Sequence, residues 1–74
     1  MGRHRVDHPT EIQERILRHI REQIIERGEA PTLQEIGAAM GLRSRSTVHY
    51  HLVELETKGA IVRDPGRSRG IRLA

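Results

Sequence analysis

The 74-residue chain has room for one small domain, and a chain of this size buries about 60% of the surface its unfolded form exposes, so its core is thin. Tyr50 is the one residue of the Phe, Trp and Tyr class, and cysteine is absent; Ile, Leu, Val and Ala must build the core, and disulfides, thiolate zinc ligands and a cysteine nucleophile are excluded. The net charge of +3 is unevenly placed: residues 1–42 carry six Arg against seven acids, whereas residues 43–74 carry six Arg and Lys58 against Glu54, Glu56 and Asp64.

Residues 1–8 show no periodicity, and residues 1–9 read as a flexible N-terminal arm ahead of a domain over residues 10–74. Thr10 with Gln13 three positions later is a helix-start signature, because hydroxyl and amide can each satisfy a free backbone N–H. Ile12, Ile16, Ile20 and Ile24, joined by Leu17, make one apolar stripe that Gly28 ends, which predicts a first helix over residues 11–27. Thr32 and Glu35 form a second capping box. Leu33, Ile36, Ala39 and Met40 supply an apolar face, the small Gly37 and Ala38 invite close approach of another helix, and Gly41 stops a short second helix over residues 33–40. After a Gly41-Leu42-Arg43 turn, Ser44 or Ser46 can cap a third helix over residues 45–58, with Val48, Leu52 and Leu55 inward and Gly59 closing it. Ala60–Arg63 and Gly70–Leu73 read as two strands around an Asp64-Pro65-Gly66 turn and a basic tip, and so small a hairpin must dock on the helices.

The order helix, helix, glycine turn, helix, basic hairpin describes a mainly α, three-helix winged helix-turn-helix, in which the third helix can enter the major groove of DNA. At about 100° per residue, Ser46 and Tyr50 lie opposite the buried stripe. Thr47, Val53 and Glu54 flank that outer face, and His49 and His51 sit on its shoulders. Hydroxyls, a phenol and an imidazole can touch base edges, while Arg43 and Arg45 beside them suit phosphates. Arg67 and Arg69, between Gly66 and Gly70, place cations at the tip of the wing.

The chain resembles the N-terminal DNA-binding domain of the LexA repressor family. The resemblance rests on Ala30-Pro31-Thr32, Glu35-Ile36-Gly37, Gly41-Leu42-Arg43-Ser44, His51-Leu52, Leu55-Glu56-Thr57-Lys58-Gly59, Arg63-Asp64-Pro65 and Ser68 to Leu73, in register over residues 10–73. It implies a bacterial transcriptional repressor module that binds double-stranded DNA at a palindromic operator, as a homodimer on its two half-sites, in the cytoplasm with the nucleoid. Carried over by position, base reading falls to Ser44, Ser46, Thr47, His49 and Tyr50. The family's wing contacts fall near Arg67 and Arg69, with Ser68 between them, and Arg43 and Arg45 are expected to join them on the DNA backbone from their place beside the third helix. The family's second domain, which dimerises and cleaves its own linker with a Ser–Lys pair, has no counterpart in these 74 residues, so no self-cleavage is expected of them. Arg45, His49 and Tyr50 depart from what a typical member carries, so the operator is not carried over with the fold.

No enzyme activity, cofactor or metal is expected. His4 and His8 fall in the arm, His49 and His51 diverge on a helix, and no phosphate loop or acid–base pair is present. Glu11, Glu14, Glu22 and Glu26 alternate with Arg15, Arg18 and Arg21 on the first helix, which predicts a salt-bridged solvent face. No apolar run exceeds three residues, so no membrane span is expected. The alternative function is a protein-interaction winged helix that docks on another regulator or a polymerase subunit.

Overall fold

Two capping boxes start the first two helices of the computed structural model, which describes residues 9–74. In α1 (Glu11–Arg27) the Thr10 hydroxyl accepts the Gln13 N–H at 3.4 Å, and the Thr10 N–H donates to Gln13 Oε1 at 3.2 Å. In α2 (Leu33–Met40) the Thr32 hydroxyl accepts the Glu35 N–H at 3.1 Å, and the Thr32 N–H donates to Glu35 Oε1 at 3.0 Å. Gly28 and Gly41 end these helices at φ +76° and +73°, left-handed positions that glycine takes without a Cβ clash. The arm expected over residues 1–9 lies outside the described residues except for Pro9.

The third helix, α3, runs Arg45–Thr57, and the hairpin follows as β1 (Ile61–Arg63) and β2 (Ile71–Leu73). The strands pair antiparallel with Ile61 opposite Leu73, Val62 opposite Arg72 and Arg63 opposite Ile71. Period-two alternation turns Ile61 and Ile71 inward and leaves Val62 and Arg72 outside. One core therefore joins all the elements: Ile16 and Ile20 from α1, Ile36 from α2, Val48, Leu52 and Leu55 from α3, and Ile61 and Ile71 from the hairpin. Ala30 and Pro31, in the connector before α2, are buried against it.

The close approach expected at the small residues of α2 falls on Gly37 alone. A Cβ there would sit 3.1 Å from the Leu42 carbonyl oxygen and 3.2 Å from a Val48 methyl, so side-chain absence at Gly37 is what seats α3 against α2. Ala38 and Ala39 both face solvent, because eight residues give α2 room to bury one face only, and Leu33 and Met40 complete it beside Ile36. The solvent side of α1 also differs from expectation. Among the described residues its glutamates and arginines close no ion pair within 4.0 Å, as suits long, mutually exposed side chains whose pairing gains little in water.

Candidate nucleic-acid interface

The start of α3 is built unlike the other two. Ser44 occupies the capping position in extended conformation, but its hydroxyl makes no capping hydrogen bond, and the first turn holds no acidic residue. The capping bond expected from Ser44 or Ser46 does not form at the capping position. Among the described residues the first-turn N–H groups have no side-chain acceptor, and they stand at the positive end of the helix dipole, where an anion is favoured. Arg43, Ser44, Arg45, Ser46 and Thr47 are all exposed around this end.

Core packing determines which way the rest of α3 faces. Val48, Leu52 and Leu55 are essentially fully buried, so the opposite side stands free. His49 is exposed, and Tyr50 is 58% exposed in spite of being the largest apolar ring in the chain. Val53, 39% exposed, continues the Ser46–Tyr50 stripe one turn further and adds an apolar group of the kind that meets a thymine methyl. The five expected base-reading residues are thus all exposed, as are Arg43 and Arg45. Among the described residues neither arginine has a carboxylate within ion-pair distance.

His51 departs from that surface. It is half-buried, set edge-on to Tyr50 with ring centroids 5.3 Å apart, and its Nδ1 lies 3.2 Å from Gln13 Nε2. Gln13 is 2% exposed and its Oε1 accepts from both the Thr10 N–H and Lys58 Nζ, the latter at 2.7 Å. Because both donors claim the oxygen, the amide nitrogen must donate to His51, whose Nδ1 accepts. One buried amide therefore ties the start of α1 to the inner shoulder and the end of α3. In the sequence Gln13 stands as the partner of Thr10 in a cap; its spacing of three and seven to Ile16 and Ile20, on the buried side, is the signal that it also faces inward.

The wing presents Arg67 and Ser68 to solvent, and Ser68 lines a shallow depression with Arg45 of α3 across Thr32 and the first α2 residues, Leu33 and Gln34. That depression brings the wing tip beside the open end of α3. Arg69, expected as a third free contact, has another occupation. Its Nη1 and Nη2 donate to the two Glu35 oxygens at 2.8 Å each, and Nη1 also donates to the Ala30 carbonyl at 2.9 Å. The guanidinium hydrogen bonds, with the Thr32 N–H, hold the Glu35 carboxyl down at about 2. Arg72 forms a similar but exposed fork on Asp64, at 3.2 and 3.3 Å. Gly70 answers to crowding: a Cβ there would lie 2.6 Å from the Asp64 carbonyl oxygen.

No three His, Cys, Asp or Glu residues gather as a metal site among the described residues, and no helix there is long and apolar enough to cross a membrane. Among known proteins, the chain is 53% identical to the LexA repressor of Bacillus licheniformis over 58 residues, 78% of this chain and 28% of that protein. It is 51% identical to the LexA repressor of Sorangium cellulosum over 63 residues, 85% and 27% of the two chains. Against the LexA repressor of Bacillus subtilis it is 52% identical over 58 residues, 78% and 28%. The chain thus spans less than a third of the length of the curated relatives it matches. The LexA DNA binding domain family matches residues 7–70, and the chain belongs to that family.

Proposed function

We propose that this domain binds double-stranded DNA by sequence and acts as the operator-reading module of a transcriptional repressor. One observation carries the reading: the leading turns of α3 hold hydroxyl, imidazole and phenol groups on an exposed surface, at a helix start without a side-chain cap, flanked by arginines that have no acidic partner among the described residues. In this arrangement α3 lies in the major groove. Ser44, Ser46, Thr47, His49 and Tyr50 reach base edges, and Arg43, Arg45, Arg67 and Ser68 reach backbone phosphates. One module makes few contacts, so firm binding takes two copies on a palindromic operator whose half-sites lie about one helical turn apart. Its working place is then the cytoplasm, on the chromosome, and DNA reading of this kind calls for no catalysis or cofactor.

The test is selection of bound sites from a random pool of duplexes, followed by titration of a fluorescent duplex that carries the recovered motif. Ser46→Ala and Tyr50→Ala are expected to relax the recovered sequence preference. Arg67→Ala is expected to weaken all duplexes about equally and to reduce the slope of log affinity against log salt by about one. Recovery of no motif, together with salt-insensitive binding to a protein partner, overturns the proposal in favour of a docking module.

A further inference from the structure

Two strands of three residues do little to fix where the far end of a hairpin stands. In this wing β1 leans on α3 through Ile61, whereas residues 64–70 project beyond the paired strands. Inside that loop the Asp64 N–H donates to the Gly70 carbonyl at 2.6 Å and the Gly70 N–H donates to the Arg67 carbonyl at 3.2 Å, so the loop has a shape of its own. Among the described residues, its hydrogen bonds and ion pairs to the helical part all come from Arg69. The fork onto Glu35 and the bond to the Ala30 carbonyl end at the connector and first turn of α2, and Glu29 adds a longer ion pair at 3.7 Å.

Glu35 serves two structures at once. It is the acceptor of the α2 capping box and the anvil on which Arg69 closes. The α2 start also forms the floor between Ser68 and Arg45, so whatever fixes the loop to that start fixes the spacing between wing tip and α3. Planar, two-point pairing of guanidinium with carboxylate constrains direction as well as distance, which a lysine does not.

We propose that the Arg69–Glu35 pair is a clasp that sets the wing tip at the height where Arg67 and Ser68 meet phosphates while α3 lies in the groove. Both members are positioning residues and neither touches the DNA. The inference rests on the DNA-binding reading above. Without the clasp the loop must be ordered at the moment of binding, and the contacts of Arg67 no longer offset that cost.

A double-mutant cycle tests it, with the 74-residue chain and the duplex recovered by selection. Glu35→Gln keeps an acceptor for the α2 cap while removing the charge, and Arg69→Lys keeps the charge while removing the fork. Each is expected to weaken binding about tenfold with melting remaining cooperative. Arg67→Ala is expected to cost about tenfold in the wild type but less than about twofold in either background. Faster hydrogen exchange at the Asp64 and Gly70 amides of the free variants, with α3 unchanged, is the companion result. Undiminished loss from Arg67→Ala in both backgrounds overturns the clasp. So does weakening by Arg69→Ala with none by Glu35→Gln, since Arg69 would then be a contact itself. Those results leave a wild type that still binds its duplex, so they sink this inference alone; a wild type that binds no duplex sinks the DNA reading and the clasp together.

Discussion

The beginnings of α1 and α2 differ from the beginning of α3 in one respect: who answers their polar groups. Thr10 with Gln13 and Thr32 with Glu35 close both early helices reciprocally, and Glu35 and Gln13 then reach on to Arg69, Lys58 and His51. At α3 neither the Ser44 hydroxyl nor a first-turn acid answers the helix start. Two helix starts are completed by side chains of the protein, and on the DNA-reading proposal the third is completed by the duplex. Under that proposal stability and recognition belong to separate helix ends, and substitutions at those ends should separate the two properties.

The largest effect is expected at the interior junction. Gln13→Leu leaves Lys58 and His51 beside a group that cannot bond them, and it should cost about 1–3 kcal/mol by urea denaturation. No change in the urea midpoint would mean that the junction contributes nothing. Next come the caps. Thr10→Ala and Thr32→Ala should each lower stability by about 1 kcal/mol, whereas Ser44→Ala should stay within about 0.5 kcal/mol. The same Ser44→Ala change should weaken binding to the selected duplex. Equal destabilisation at all three helix starts would erase the contrast.

The smallest effect is acid dependence at the half-exposed Glu35. Its carboxyl ionises at about 2 in the folded protein against an ordinary value of 4.5, so its contribution is fully present above 4.5 and is lost as pH falls toward about 2. The melting temperature of the wild type should exceed that of Glu35→Gln by a constant margin above pH 4.5, and the margin should close below it. A margin independent of pH would detach the clasp from the charge of Glu35.

Local chemistry made much of this fold legible. The α1 and α2 bounds follow from Thr-x-x-Gln, Thr-x-x-Glu and the closing glycines, because capping acts within four residues and needs no tertiary partner. The inward stripe of α3 follows from Val48, Leu52 and Leu55 for the same reason. The long-range polar bonds were not legible: Arg69 finds Glu35 across 34 positions and Lys58 finds Gln13 across 45, and neither spacing leaves a trace in a periodic pattern. Arg69 therefore read as one more cation at a basic tip, indistinguishable from Arg67. Val53 read as a flanking residue, although its place on the Ser46–Tyr50 stripe was already implied by helical geometry.

The crowding at Gly70 bears on how such a domain can be diversified. With the Asp64 carbonyl 2.6 Å from where a side chain would begin, no other amino acid enters that position without reshaping the ribbon. Libraries meant to retarget the module must therefore hold position 70 invariant, and novelty in the ribbon has to come from residues whose side chains point away from that crowded turn.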